Sequence, residues 1–371
     1  MKRIIVSLIL LILTEESFAC AWSWGNGGVL KKQPTCLLNV DHGPSQFSVN
    51  LPKTFNKKNI LTFELKIKSK KMPSAIELRL VDKAKPNKVS SHQMSFYKDE
   101  EFNSLLLNEW NKVSLSRYHF NNGSDFFKDI EKLYFFTDFN KDFGKVEIEV
   151  RSVQVKEKKK NKGFVSLTFD DGYESVYRAA QIMKKYNLAG TAYIILNSVG
   201  KKGYLTKKQL CELKSWGWSL SYHHETPFTE IKKINQEVTP QQKIMKTYCG
   251  GADYNHLAYP LGKQNKKVRA FVAKYFKTAR LASGGLETLP PGEPSLMRSI
   301  NVLPKVSPDE LVKAAKGAVE YSDYAIFMFH NFVETPKTDL DYSWKNFEDF
   351  IKKIAPLKSR VKTVPQVSEQ F

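Results

Sequence analysis

Two periods of apolar residues divide this chain, and the change between them falls at residues 156–163. In the first part, apolar side chains recur at every second position, as at Leu61, Phe63 and Leu65. A period of two is typical of strands that bury one face. Similar short runs, separated by clusters of Pro, Asn, Gly and Lys, lie at residues 76–80, 113–115 and 146–150. This pattern predicts an antiparallel β-sandwich.

The second part alternates short apolar strands with amphipathic helical segments. Strands are predicted at residues 164–169, 191–195, 218–223, 256–260 and 324–330. Helices are predicted at residues 173–187, 205–216, 268–276 and 309–319. Thr206 is placed to cap the second of these helices. Because strands and helices alternate, the predicted fold class is α/β, with a parallel sheet or barrel that carries its helices outside.

Charge and composition divide the chain further. The segment KEKKKNKG at 156–163 is charged, lacks apolar periodicity and reads as a linker. The N-terminus resembles a secretory signal, with Lys2 and Arg3, an apolar run at 4–13 and the sequence SFA at 17–19. The predicted organisation is therefore a signal peptide (1–19), a β-sandwich (20–155), a linker (156–163) and an α/β domain (164–371). An uncleaved anchor and a lipidated Cys20 are the alternatives.

The predicted export places the mature protein in the periplasm, the cell envelope or the medium, with no transmembrane segment after signal cleavage. Four cysteines, an even number, suit an oxidising compartment. Proximity suggests the pairs Cys20–Cys36 and Cys211–Cys249, out of three connectivities. No CxxC pair is present, which argues against a thiolate zinc site.

Net charge and hydropathy limit the classes of partner. The formal net charge is +20, from 58 Lys and Arg against 38 Asp and Glu. Such a field favours anionic partners, but the lysines are scattered and no nucleic-acid-binding motif is present, so no nucleic acid partner is predicted. A mean hydropathy of −0.41 argues against a multi-spanning membrane protein. The sequence leaves the oligomeric state open.

Reactive side chains follow the predicted strands at their C-terminal ends. Asp170 and Asp171 follow the first barrel strand, His223 and His224 follow the third, and His330 follows the last. A glycine turn, PLGK at 260–263, follows another. Because the C-terminal ends of barrel strands meet at one rim, these residues are predicted to form one site.

Asp170 and Asp171 are predicted to have different roles. Two adjacent carboxylates do not both ionise readily unless a cation lies between them. Asp171 with a histidine nitrogen suits zinc or a similar divalent ion. Asp170 is then free to act as a base on a water whose pKa the ion lowers. Because successive residues on an extended chain point in opposite directions, a turn at Gly172 is required for both carboxylates to face the site.

Five stretches resemble the motifs of the polysaccharide deacetylases (carbohydrate esterase family 4, the NodB-homology domain). In chain order they are TFDDG at 168–172, GWSLSYH at 217–223, AYPLGKQN at 258–265, PSLMRSINV at 294–302 and AIFMFH at 325–330. The resemblance covers residues 163–371. It implies a deformed (β/α)7 barrel that removes N-acetyl groups from a glycan with the help of a divalent metal, with zinc the first choice.

The resemblance also implies roles for individual residues. Asp170 takes the role of general base and His330 that of general acid, while Asp171 and His223 take the role of metal ligands. The backbone N–H of Leu261 helps to hold the tetrahedral oxyanion. Pro260 and Gly262, on either side of it, shape the sugar groove.

The sequence departs from the family at the metal site. The family usually carries a second histidine four residues after the first, and Pro227 stands there. Three alternatives remain: His224 is the third ligand, His256 is the third ligand, or two protein ligands hold the ion together with water.

A second departure concerns an arginine. The arginine that often opens the third motif is replaced by Ala258. Arg298, in the next motif, is the candidate to orient Asp170 in its place.

The N-terminal part has a weaker resemblance. The stretches NEWNKVSLS at 108–116 and GKVEIEVRSVQV at 144–155 are similar to the jelly-roll modules that accompany carbohydrate-active enzymes. The domain is therefore predicted to be an all-β, jelly-roll-like sandwich. Trp110 or Tyr118 could stack on sugar rings, or both could belong to the core.

The leading functional prediction is metal-dependent N-deacetylation of an N-acetylglucosamine-containing envelope polysaccharide, either peptidoglycan or poly-N-acetylglucosamine. Such an enzyme is a hydrolase of carbon–nitrogen bonds other than peptide bonds. The alternatives are a catalytically degenerate glycan-binding protein and an O-acetyl esterase of a polysaccharide.

Overall fold

The computed structural model describes residues 20–24, 27–31, 35–40, 43–73, 75–82, 85–96, 103–120, 130–139, 146–158, 163–228, 231–250 and 254–371. The predicted signal peptide lies outside these ranges. Within them, no helix is long and apolar enough to cross a membrane.

The N-terminal domain is a sandwich of two five-stranded antiparallel sheets. Its strands are β1 (Cys20–Trp24), β2 (Gly27–Lys31), β3 (Thr35–Val40), β4 (Gly43–Asn50), β5 (Asn59–Lys68), β6 (Ala75–Asp82), β7 (Lys85–Ser95), β8 (Asn111–Ser116), β9 (Lys132–Phe139) and β10 (Val146–Glu157). One sheet has the order β1-β4-β9-β6-β7 and the other β2-β3-β10-β5-β8. Leu61, Phe63 and Leu65 on β5 are all buried in the core between the sheets, as their period of two predicts.

The C-terminal domain is a closed barrel of seven parallel strands, which confirms the predicted α/β barrel. The strands are β11 (Phe164–Phe169), β12 (Thr191–Ile195), β13 (Ser219–His223), β14 (His256–Ala258), β15 (Thr278–Gly284), β16 (Met297–Asn301) and β17 (Tyr324–Phe329). The barrel closes where β11 pairs with β17 along its whole length. A small parallel pair, β18 (Asn331–Val333) and β19 (Asp341–Ser343), follows at the C-terminal end of the strands.

Helices surround the barrel on all but one side. They are α1 (Ser175–Lys184), α2 (Lys207–Ser215), α3 (Ile231–Lys246), α4 (Lys266–Tyr275), α5 (Pro308–Glu320), α6 (Trp344–Ile354) and α7 (Val364–Ser368). Thr206 caps α2 as predicted, since its side chain accepts a hydrogen bond from the N–H of Gln209. The segment 285–296, which joins β15 to β16 (the β15–β16 segment), contains no α-helix.

The sandwich covers the β15–β16 segment, where the barrel lacks a helix. Ser114 Oγ on β8 lies 2.8 Å from Thr288 Oγ1, and His119 Nε2 lies 3.0 Å from the carbonyl oxygen of Leu286. A Cβ atom added at Gly292 would lie 2.7 Å from Cβ of Ser114, so the two domains approach too closely there for any side chain. The sandwich therefore takes the position of the missing helix.

Lys158, at the end of β10, fastens the predicted linker to the barrel. Its ammonium group donates to Asp323 Oδ1 at 2.7 Å and to the carbonyl of Tyr321. Asp323 is fully buried and also accepts from Ser116 Oγ of the sandwich at 2.5 Å. The first two residues of the predicted linker belong to β10, and the third, Lys158, binds Asp323. The start of the predicted linker is therefore held against the barrel.

A disulfide joins Cys211 on α2 to Cys249, which follows α3, as predicted. Cys36 is also disulfide-bonded, and the side chain of its predicted partner, Cys20, lies outside the described part.

Replacing both Cys211 and Cys249 by serine is expected to lower the free energy of unfolding by about 2–4 kcal/mol, because a disulfide restricts the unfolded chain. The bond spans a sequence separation of 38 residues. Denaturant unfolding of the two proteins measures the difference. Reduction should cost the variant less stability than the wild type, because only the bond of Cys36 is then left to break. Equal stability of the variant and the wild type would contradict the prediction.

Candidate active site

Strand β11 ends in a tight turn that presents two carboxylates. The backbone of Asp171 has φ 68° and that of Gly172 has φ 80°, both in the left-handed region. The N–H of Gly172 donates to the carbonyl of Asp170 at 2.8 Å and closes the turn. A non-glycine residue in this region is unfavourable and is frequent at functional sites. The required turn thus begins at Asp171 itself.

Asp170 forms a buried ion pair with Arg280, a residue that the sequence did not single out. The Arg280 guanidinium donates through Nη2 to both carboxylate oxygens, at 2.5 Å to Oδ2. The two side chains are 1% and 4% exposed. Nη1 of Arg280 also donates to the carbonyl of Leu281 at 3.0 Å. Hydrogen bonds between charged groups are about twice as strong as neutral ones, so the position of the Asp170 carboxylate is well fixed.

Arg280 reaches the site from the strand next to the one expected. Its Cα pairs directly with Ala258, the position where the third motif often has an arginine. The prediction for Arg298 was wrong. Arg298 donates through Nη2 to Glu287 Oε1 at 2.7 Å and to the carbonyl of Ser114 at 2.9 Å, so it serves the contact with the sandwich.

His223 faces Asp171 across the mouth of the barrel. Its Nε2 lies 3.3 Å from Asp171 Oδ1, and its Nδ1 donates to the carbonyl of Ala258 at 2.8 Å. Burial has the largest single effect and opposes the charged ring, but the Asp171 hydrogen bond and the charges of Asp170 and Asp171 together outweigh it and raise the pKa of His223. Burial is likewise the largest single effect on Asp171, but the His223 hydrogen bond and the nearby positive charges together outweigh it and lower the pKa of the carboxyl group.

His224 points away from this pair, so its predicted role as a metal ligand is corrected. Its Nε2 donates to Glu237 Oε2 at 2.9 Å, while its Nδ1 accepts from the N–H of Thr226 at 3.2 Å. Adjacent residues at the end of a strand have side chains on opposite sides, which explains why His224 and His223 do not meet at one ion.

Of the two remaining alternatives, the structure argues against His256 and is compatible with two protein ligands. His256 is buried inside the barrel, with Nδ1 2.7 Å from Thr278 Oγ1. No group of three or more His, Cys, Asp or Glu residues suited to a metal ion occurs within the described residues. Asp171 and His223 fit a divalent ion as two protein ligands, because the Ala258 carbonyl holds the proton on Nδ1 and directs Nε2 toward Asp171.

His330 lies at the end of β17, near both aspartates. Burial lowers the pKa of its ring, and the charges of Asp170 and Asp171 partly offset that effect. Within the described residues, its buried Nδ1 has no hydrogen-bond partner. The ring is therefore neutral at pH 7 and has a nitrogen available to a ligand.

The segment after β14 exposes a backbone turn beside the site. Leu261 has φ 55° and is 67% exposed, between the buried residues Pro260 and Gly262. Gly262 has φ 72°, and a Cβ atom there would lie 2.9 Å from that of Ala282. The backbone is therefore held close to β15, with the Leu261 side chain outside. The role of the Leu261 N–H stays a prediction.

Trp110 and Tyr118, the two aromatic residues that could stack on sugar rings, make contacts within the protein instead. The guanidinium of Arg151 lies 3.8 Å from the ring centroid of Trp110. The ring of Tyr118 packs edge-on against Tyr321 of the barrel, with centroids 5.6 Å apart. A Cβ atom at Gly317 would lie 2.1 Å from the Tyr118 ring. Tyr118 is thus part of the contact between the domains.

Comparisons with known proteins agree on one family. Residues 157–278 match the family model described as polysaccharide deacetylase. A curated relative, "Putative polysaccharide deacetylase YxkH" of Bacillus subtilis (strain 168), is 28% identical over 128 residues. That match covers 32% of this chain and 44% of the relative, so the chain spans less than half the length of the relative that it matches.

Solved structures of low overall similarity were also found. A family 4 acetyl xylan esterase from Clostridium thermocellum is 18% identical, with a TM-score of 0.39, over 55% of this chain and 89% of that one. A polysaccharide deacetylase from Bacillus cereus is 13% identical, with a TM-score of 0.39, over 81% of this chain and 99% of that one. By the family model and the curated relative, part of the barrel domain of this chain is similar to the polysaccharide deacetylases.

Proposed function

We propose that the protein hydrolyses N-acetyl groups on an N-acetylglucosamine-containing envelope polysaccharide, either peptidoglycan or poly-N-acetylglucosamine. One observation carries the proposal. The Asp170 carboxylate, fixed by Arg280, lies at the same end of the barrel as the Asp171–His223 pair and His330. A base, a pair of metal ligands and an imidazole are groups with which an enzyme can hydrolyse an amide with the help of a metal ion.

The proposed reaction divides the proton transfers between two residues. Asp170 accepts a proton from the water whose oxygen attacks the acetyl carbon. The N–H of Leu261 donates to the oxygen that becomes negatively charged. His330, once protonated, gives its proton to the sugar nitrogen as the C–N bond breaks. The products are acetate and the free amine on the sugar.

We also propose that Asp171 and His223 hold a divalent ion, with zinc the first choice because a carboxylate oxygen and an imidazole nitrogen both suit it. The ion would act as a Lewis acid and lower the pKa of a nearby water toward 7. With two protein ligands, the site has one fewer than the three that catalytic zinc sites usually provide.

The metal part of the proposal is tested by equilibrium dialysis of the full chain against Zn²⁺ or Co²⁺. We expect close to one ion per chain. Asp171→Ala and His223→Ala should each weaken binding at least as much as the roughly 10–100-fold loss seen when an outer-shell partner is removed. Glu334→Ala, at an exposed carboxylate, is the matched control and should bind normally. Wild-type protein that takes up neither ion would disprove a metal site here.

The activity is tested by acetate release from a panel of glycans, with and without a chelator. We expect release from N-acetylated glycans and its loss on chelation. Release from O-acetylated glycans alone would support the esterase alternative instead. Binding of glycans without any release would support the degenerate glycan-binding protein. The N-terminal signal-like sequence supports export to the envelope, where such polymers are found.

A further inference from the structure

A cavity of about 170 Å³ lies between the sandwich and the barrel, away from the catalytic residues. Met94, Phe96 and Lys112 line it from the sandwich, and Glu293 and Leu296 line it from the β15–β16 segment. We propose that this seam cavity binds a neutral sugar unit of the polysaccharide, at a distance from the unit that is deacetylated. The inference rests on the proposed function and extends it to a second contact with the polymer.

The size of the seam cavity suits one sugar ring. A protein cavity of roughly 150 Å³ is large enough to hold benzene, a six-membered ring. The seam cavity is slightly larger. Clefts between domains are also preferred places for small-molecule sites. The six-membered ring of one pyranose therefore fits, while its hydroxyl substituents and the neighbouring sugar units would extend out of the open side of the cavity.

The chemistry of the lining suits a sugar. A pyranose carries hydroxyl groups around its edge and C–H bonds on its faces. Met94 and Phe96, on the core side at the end of the edge strand β7, supply apolar surface, while Gln93 and Ser95, on its outer side, add an amide and a hydroxyl. Both polar residues are exposed, and their side chains have no hydrogen-bond partner within the described residues. Their donors and acceptors are free to bind the hydroxyl groups of a ligand.

The charges around the seam cavity favour a neutral ligand. The carboxylate of Glu287 is already paired with Arg298 at 2.7 Å. Burial, together with the nearby Arg298 charge, lowers the pKa of His92 to about 4, so this histidine is neutral. Lys112 and Glu293 bring one charge of each sign to the rim. The lining thus has no excess charge that would select an anionic or a cationic ligand.

The β15–β16 segment separates the seam cavity from the catalytic groove. Glu293 and Leu296 face the cavity, while the carbonyl of Ser295, between them, accepts a hydrogen bond from Tyr259 Oη at 3.0 Å. Tyr259 directly precedes Pro260, in the turn beside the catalytic residues. One loop therefore separates the two places, and a polymer can contact both while a short oligomer contacts only the groove.

Hydrogen bonds between the sandwich and the barrel fix the position of the seam cavity relative to the catalytic groove. The carbonyl of Asn103, in the sandwich, accepts from Gln264 Nε2 at 2.5 Å and from Arg269 Nη2 at 3.0 Å. Gln264 is buried and follows Gly262 by two residues. Since a preorganised second contact adds affinity without a new ordering cost, longer glycans are expected to bind more tightly than short ones.

The test compares the dimer and the hexamer of N-acetylglucosamine by isothermal titration of full-length Asp170→Asn protein, in which turnover is expected to be slow. The hexamer should bind more tightly than the dimer. Ser95→Trp, which adds a large ring to the lining of the seam cavity, should raise the Kd of the hexamer by about ten-fold, or about 1.4 kcal/mol, and remove its advantage over the dimer. Val89→Trp, at an exposed position on the same strand outside the cavity, is the matched control and should keep that advantage.

A hexamer that binds no better than the dimer would overturn the seam cavity proposal, as would an unchanged hexamer Kd in folded Ser95→Trp. If Ser95→Trp does not fold, Gln93→Ala removes a polar group without adding bulk and should raise the hexamer Kd by a smaller factor; no rise would again overturn it. Acetate release by the wild type is measured separately. Tight, cavity-dependent binding without release would refute the deacetylase proposal and leave the seam cavity supported.

Discussion

Replacing Asp170 by asparagine is expected to lower acetate release by about 10²–10⁴-fold, the usual contribution of a general base. The amide keeps nearly the same shape and can still accept a hydrogen bond from Arg280, but it cannot take a proton from water. The loss should therefore appear in kcat, with little change in the affinity for a glycan. The measurement is steady-state acetate release from an N-acetylglucosamine oligomer.

Asp339 offers a matched control for this variant. It is an exposed aspartate in the loop between β18 and β19, at the same end of the barrel. Asp339→Asn makes the same chemical change outside the catalytic residues and should keep wild-type activity. If Asp170→Asn released acetate at the wild-type rate, Asp170 would not be the base.

Replacing Arg280 by methionine is expected to lower the free energy of unfolding by about 3–5 kcal/mol, the range found when one partner of a buried ion pair is removed. The variant leaves the Asp170 carboxylate buried without its cation. Adding Asp170→Asn to Arg280→Met removes that unpaired charge. The double variant should therefore lose less stability than the sum of the two single losses. Denaturant unfolding of the four proteins measures the coupling.

Arg178 provides the comparison for a surface arginine. It is half-exposed, and its contacts with Glu334 and Glu348 are 3.6 and 3.8 Å long. Arg178→Met should change stability by no more than about 0.5 kcal/mol. Strictly additive losses in the double variant would mean that Asp170 and Arg280 do not stabilise one another, contrary to the contacts described here.

Strands and helices could be predicted where the local pattern of apolar residues was strong. They could not be predicted where contacts with distant residues determine the secondary structure. The continuous apolar runs of β11 and β17 indicated buried parallel strands. Strand β15 was missed because the inward-facing Arg280 interrupts its apolar pattern. Helix α3 was missed because it contains Pro240, which ordinarily ends a helix. In the barrel, β14 and β16 pair with β15, and Asp170 at the end of β11 supplies the carboxylate that pairs with Arg280, and the sequence alone does not reveal these contacts.

The sequence predicted which residues lie at the strand ends that form the site. It did not predict which of these residues contact one another. The sequence placed Asp170, Asp171, His223 and His330 at one end of the barrel, and the structure brings them together. It could not identify the partner of Asp170, because that depends on the register between β14 and β15. The only local clue was a lone arginine between apolar residues at 278–284, since a charge in a buried strand requires a partner.

The missing helix between β15 and β16 has a consequence for how the protein is made. A chain is synthesised from its N-terminus, and domains generally fold as units in that order. The sandwich is complete at residue 157, well before Thr278, where β15 begins. The surface that shields these two strands is therefore synthesised before the strands themselves, and we expect the barrel to close against a sandwich that is already folded.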